Sequence, residues 1–291
     1  DIIIDFNKIF LNSGFFFNIK SNTKLHIRLI HDTSDNFTIF QNNFINFKKN
    51  CEVQLEDRFN LTQNSINNIN YNTNLDEGAV IKHNIFQNFS NSNKLYFTSN
   101  TVCEKNSSYN QNTYNFSDGF VRNFHHAHLN GEFANASLKG CFFLKDKNVC
   151  SNKTNIMHNA EHCVSDQTYK GILNDHSKAN YYSNTFVSEN AQKTEGYQLS
   201  KGILLTDNCT FFSKPELRIF ADDVKCSHGS TIGPVDESAL YYLRSRGISK
   251  NEAMKMIISS FIEEDLQNLD KNIGEQISNN LSNYLKSIAN D

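Results

Sequence analysis

Hydrophobic and polar positions alternate with period two through most of residues 15–235. In "KLHIRLI", Leu25, Ile27 and Leu29 share one face, and Lys24, His26 and Arg28 the other. In "CEVQLE", Cys51, Val53 and Leu55 alternate with Glu52, Gln54 and Glu56. Such runs, bounded by Asn, Ser, Asp and Gly, predict half-buried strands joined by turns. Few stretches here hold a helical period, so the pattern predicts an all-β sandwich, barrel or solenoid. A repeat favours the solenoid. "LKGCFFLKDKN" from Leu138, "YKGILNDHSKA" from Tyr169 and "SKGILLTDNCT" from Ser200 set Lys-Gly pairs 31 residues apart, as stacked coils would. Asn-rich turns agree, because Asn tolerates the left-handed backbone of tight corners.

The period changes after Pro234. Asp236 is a good N-cap for a helix carrying Leu240, Tyr241 and Leu243, and Gly247 a good stop. "SKNE" at 249–252 has the form of a capping box, followed by Ala253, Met256, Ile257 and Phe261 at three-and-four spacing. A third run sets Ile273, Ile277, Leu281, Leu285 and Ile288 three or four apart. The expected organisation is a mainly β domain over residues 1–235 and a small helical domain over 236–291. The apolar faces of the helices need the β domain, each other or a partner to pack against.

Composition narrows the function classes. The 291 residues carry 28 basic and 31 acidic side chains, so no surface for nucleic acid or anionic membrane is indicated. No apolar run approaches the roughly 20 residues of a membrane span. The chain opens on Asp1 without a signal-like stretch and reads as a piece of a longer protein rather than a secreted precursor. Seven cysteines, an odd number without a CxxC pair, favour a reducing compartment over a disulfide framework.

The residues that carry candidate chemistry lie where strand gives way to helix, in "DDVKCSHGSTIGPVD". On a strand, Cys226 and His228 point the same way and Lys225 and Ser227 the other. A thiolate beside an imidazole binds iron, zinc, copper or sulfur species. A closed zinc site and an iron–sulfur cluster usually take four ligands, and this pair supplies two. Either the pair is structural, as free Cys and lone His commonly are, or distant residues or another chain complete it. "FHHAHLN" places His126 and His128 on one strand face, and "MHNAEHC" ends at Cys163; these are weaker ligand candidates. There is no phosphate loop, GxSxG elbow or HExxH motif.

The stretch "KPELRIFADDVKCSHGSTIGPVDESALYYLRSRGISKNEAMKMII", Lys214 to Ile258, closely resembles the C-terminal signature of the SufB/SufD family, and its SufD branch in particular. The family belongs to the Suf iron–sulfur cluster assembly machinery. The resemblance extends upstream through Ser165–Asn208 and, more weakly, to "EVQLED" and "EGAVIKHNIFQ". It implies a right-handed parallel β-helix followed by a C-terminal helical domain. It also implies a non-catalytic scaffold in a complex of SufB, SufC and SufD. There SufB pairs with this chain through the β-helices, and the ABC-type ATPase SufC docks on the C-terminal helices, here through Leu240, Tyr241, Met256, Ile257 and Phe261. By the same resemblance, His228, with Cys226 beside it, takes part in building a transient iron–sulfur cluster shared with the partner. Reduced flavin enters through the complex, ATP enters only through SufC, and a homodimer forms when the chain is alone. The family's N-terminal helical region is absent from this chain. A cytoplasmic or plastid-stromal location follows. Two alternatives are a secreted β-helix polysaccharide lyase or hydrolase and a stand-alone SufB-like scaffold. Absent Trp and plentiful Cys weigh against the first, and the missing Glu-His-Glu pattern against the second.

Overall fold

A computed structural model describes residues 7, 9–33, 38–61, 64–89, 93–266 and 271–289. The chain winds into a flattened parallel β-solenoid of about seven turns, followed by three helices. Odd strands, from β1 (Phe16–Ile19) to β15 (Thr210–Ile219), form one eight-stranded sheet; even strands, from β2 (Lys24–Thr33) to β16 (Lys225–Pro234), form the other. Each coil gives one strand to each sheet. Lys24 pairs with Glu52 and Glu52 with Val80, 28 residues apart each time.

The corners explain the Asn-rich turns. Asn22, Asn50, Gly78 and Asn106 all take positive φ, and each donates its N–H to a carbonyl one coil further on, at Lys49, Glu77, Lys105 and Glu132. Left-handed backbone costs most residues about 1–2 kcal/mol, and Asn and Gly visit it most readily. The same corner is carried on by Phe133, His162 and Lys193, whose side chains make the strain dearer; Phe133 and His162 stack at 4.7 Å there.

The Lys-Gly repeat is only partly a register. Lys170-Gly171 lies beside Lys201-Gly202, 31 residues on, but Lys139 pairs with Thr168 and Gly140 with Tyr169, because that coil is two residues shorter. What the glycines share is room for an aromatic ring. A methyl group on Gly140 would meet Tyr169 at 2.4 Å, on Gly171 it would meet Phe142 at 2.2 Å, and on Gly202 Phe211 at 2.4 Å.

The lumen between the sheets holds the main core, including fully buried Phe47, Phe59, Phe97, Phe142, Tyr71 and Tyr109. It is not uniformly apolar. Asp57, fully buried, accepts from His31 Nε2 at 2.7 Å, His83 Nε2 at 2.6 Å and Tyr71 Oη at 2.6 Å. His83 reaches Tyr109 at 2.8 Å, Tyr109 donates to Gln111 at 2.9 Å, and Gln111 donates to His125 Nδ1 at 2.8 Å. Burial disfavours ionising Asp57, but the hydrogen bonds from His31 and His83 outweigh it and hold the carboxyl below its ordinary range.

The helices are α1 (Glu237–Ser245), α2 (Lys250–Leu266) and α3 (Lys271–Ala289). Asp236 caps α1 by accepting from Ser238 N and Ala239 N, and Ser249 with Glu252 forms the capping box of α2. Gly247, at φ +85°, stops α1. Helices α2 and α3 fold back onto the outer face of the even-strand sheet. Ile258, Ile262, Ile277, Leu281 and Leu285 there meet Phe86, Tyr114, Phe143 and Ile172 in a second core. Each such side chain contributes about 1.5–3 kcal/mol on burial. Ile273 and Ile288 lie outside the residues whose side chains are described.

Two expectations follow. Gly171→Ala should cost about 1–3 kcal/mol in urea unfolding by overpacking Phe142, and Phe142→Leu in the same chain should recover part of it. A non-additivity of zero in that cycle would refute the contact. The second concerns acid. Burial lowers His125 to about 3 and His158 to about 4. Unfolded, these imidazoles titrate near 6.5, so below that pH the unfolded chain takes up protons the folded chain refuses. Stability should therefore be lost as pH falls from about 6.5 toward 4, at up to about 1.4 kcal/mol per pH unit per imidazole. Asp57 acts below that window, its contribution full above the ordinary carboxylate range and lost only in stronger acid. Urea midpoints that stay flat from pH 6.5 to 4.5 would contradict this.

Candidate functional site

Among the described residues nothing covers the last coil. In β14 (Glu195–Leu204), the inward residues Gly196, Gln198, Ser200 and Gly202 are buried. Their register partners in β16 are Cys226, His228, Ser230 and Ile232. These four also face inward, yet Cys226 and Ile232 are only half-buried and His228 and Ser230 are exposed. Both β15 and β16 stand at the edge of their sheets. Pro215, which lacks an N–H to offer a ladder, sits in β15, where an edge strand tolerates it.

The strand period is therefore right about Cys226 and His228, which share the inward face. Gly196 makes the space for the thiol, since a Cβ there would lie 3.3 Å from Cys226 Sγ. The Cys226 side chain rests on a small apolar cluster of Val187, Ala191 and Ala221. Burial pushes the thiol above its ordinary range, so it is protonated at neutral pH. No hydrogen bond or ion pair among the described residues restrains the His228 ring. The turn into β16 is pinned by ion pairs of Lys193 with Asp223 and Lys225 with Glu195, the latter at 2.9 Å.

Below the opening the lumen is neutral and polar. Thr185 Oγ1 accepts from Gln167 Nε2 and Gln198 Nε2, both at 2.8 Å. Gln198 also donates to the Glu216 carbonyl at 3.1 Å and accepts from Ser183 at 3.1 Å, tying the edge strand β15 to the coil before it. Among the described residues, no group of three or more His, Cys, Asp or Glu is placed to hold a metal ion. Cys226 and His228 thus stand as an incomplete pair.

The other candidates are not brought to this site. Cys163 is fully buried, donates to the Gly131 carbonyl at 3.3 Å, and has its thiol pushed up to about 11 by burial. His126 and His128 lie on the outer face of the odd-strand sheet, half-buried, with rings parallel and 6.5 Å apart. Asn184 donates to Asn155 and Asn155 donates to His126 Nδ1 at 3.1 Å, which leaves the ring proton on Nε2. Burial, then His128 and Lys153, lower His126 to about 4. Of the docking candidates, Tyr241 is 77% and Met256 49% exposed, and Leu240 and Ile257 are half-buried. Phe261 leans instead into the second core, and Lys170 Nζ donates to its carbonyl at 3.0 Å.

Sequence reasoning missed the buried Asp57 network. Its signal was present, since Asp57 occupies an inward position in the alternation Val53, Leu55, Asp57, Phe59, where a charge needs partners.

A parallel solenoid with an uncovered last coil and a terminal set of helices on one sheet is the class this architecture defines. Residues 29–261 match the family described as "SUF system FeS cluster assembly, SufBD core domain", and the chain belongs to that family. It is 36% identical over 150 residues to the iron–sulfur cluster assembly protein SufD of Escherichia coli, covering 51% of this chain and 36% of that protein. A SufBD family protein of Synechocystis is 33% identical over 126 residues, 43% of this chain and 28% of that one. The chloroplastic protein ABCI7 of Arabidopsis thaliana is 37% identical over 124 residues, 42% of this chain and 26% of that one. The matched segments thus span about a quarter to a third of these relatives. Among the described residues no helix is long and apolar enough to cross a membrane.

Cys226 is the one cysteine of the seven that is not buried. It should be the first of the seven to react with iodoacetamide, at a rate still rising with pH above about 8. A plateau already reached at pH 7 would show a thiolate and refute the protonated assignment.

Proposed function

We propose that this chain is a non-catalytic scaffold subunit for iron–sulfur cluster assembly. It works beside a SufB-type solenoid and a SufC-type ABC ATPase, in the cytoplasm or a plastid stroma. The single observation that carries the reading is the uncovered last coil, where Cys226 and His228 face inward as two candidate ligands with no third among the described residues. An incomplete pair at a sheet edge fits a site finished by another chain. Iron and sulfide are the cargo, and His228 is the ligand from this side, because a neutral imidazole suits iron and the ring is unrestrained. The partner extends the edges β15 and β16, and a second copy of this chain takes its place when the partner is absent. The ATPase docks on the C-terminal helices.

Reduced flavin and ATP belong to the complex in this reading. The open groove of about 620 Å³ along Phe120, Asp146 and His176 also carries Asp175 against a single Lys147, a poor match for flavin phosphates.

The test is His228→Ala in the three-subunit complex, reconstituted anaerobically, with iron and acid-labile sulfide counted per complex. Both should fall at least about tenfold while subunit stoichiometry and melting stay unchanged. Cys226→Ser separates the roles of the pair. A loss equal to that of His228→Ala makes the thiol a ligand, and a full yield assigns it to packing. Wild-type cluster content in His228→Ala would overturn the site.

A further inference from the structure

Helix α1 buries none of its residues. Together with the start of α2 it exposes Tyr241 at 77%, Tyr242 at 58% and Met256 at 49%. Around these stand Arg244, Arg246, Lys250 and Lys255, and among the described residues none of the four has a carboxylate partner. Arg246 lies instead over the Tyr242 ring, 5.3 Å from its centre. The nearby carboxylates are committed to helix starts. Asp236 caps α1, Glu237 lies in its first turn, and Glu252 closes the capping box of α2. In a chain with more acidic than basic side chains, four cations thus stand here without an ion-pair partner among the described residues. Beside it, between α2, α3 and the solenoid corner, is a cavity of about 140 Å³. Leu205, Met254 and Leu285 line it, with Lys250 and Lys255 also at its wall.

We propose that the α1–α2 surface docks a protein partner with an acidic contact face, one apolar side chain of which enters this cavity between Lys250 and Lys255. The proposal rests on the docking reading above and names the chemistry of the partner's face. A second copy of this chain is a poor occupant, because four cations would oppose four cations. A small anion would leave Tyr241, Tyr242 and Met256 uncovered. An apolar anchor ringed by opposite charge is what gives such contacts both affinity and steering.

The experiment uses the whole chain and the purified ABC-type ATPase subunit from the same genome, by calorimetry at about 50 and 300 mM salt. Wild-type affinity should fall about tenfold between the two. Lys250→Glu with Lys255→Glu should lose about tenfold at low salt and flatten the salt dependence. Met254→Trp, which fills the cavity, should weaken binding at both salts; its melting curve checks the fold, and the lysine variant carries the test if that fold fails. Wild-type binding and salt slope in the lysine variant overturn the proposal and leave the docking reading standing. No binding by the wild-type chain overturns both. Displacement of the ATPase by inorganic phosphate in the millimolar range makes the surface a small-anion site and overturns the proposal.

Discussion

In a parallel solenoid every strand hydrogen-bonds to the coil before it and the coil after it, and the inward side chains of one coil are covered only by those of the next. Interior coils satisfy that requirement by repetition. Among the described residues the two terminal coils satisfy it on one side only. At one end Leu25, Ile27, Leu29 and His31 face inward beyond the Val53–Leu55–Asp57 layer; at the other Cys226, His228, Ser230 and Ile232 do so beyond Gly196–Gln198–Ser200–Gly202. Cys226 and His228 therefore lie at the place where the fold leaves its own hydrogen bonds and packing unfinished.

The interior shows how polar groups are held inside such a stack. Asp57 has three donors, from the coil before it, the coil after it and the opposite sheet. Loss of any one donor would leave a buried charge short of a partner, which costs more than the bond contributed. The same logic fixes register, because a slip of one residue would turn Asp57 outward and carry every inward side chain with it.

Much of this was legible in the sequence. Alternation located the strands and the shared face of Cys226 and His228, and the caps at Asp236 and Ser249 marked the helices, because both signals are local. The Lys-Gly spacing misled by two residues at Gly140, because coil length is set at corners whose insertions leave no periodic trace. The exposure of His228 was not legible either. An inward position reads as buried unless the coil is known to be the last, and that depends on the whole stack. Phe261 carried the spacing of a free helix face, but the face it belongs to is covered by the outer side of a sheet far earlier in the chain, with Lys170, 91 residues before it, bonded to its carbonyl.

Among the described residues the β2 and β16 ends of the stack are not equivalent. The β2 end presents aliphatic side chains, which cost free energy in water in proportion to their area. The inward face of β16 presents Ser230 and an imidazole, with Gly229 beside them, and the layer beneath it is built of Gln198, Ser200 and two glycines. Water solvates such a face at little cost, so the end with Cys226 and His228 can stand open. A surface laid on it would gain less from area than one laid on the aliphatic β2 end, and more from matched hydrogen bonds. An interface of that kind is specific without being greasy. Cys226 and His228 stand there at an edge open to water, with the thiol protonated.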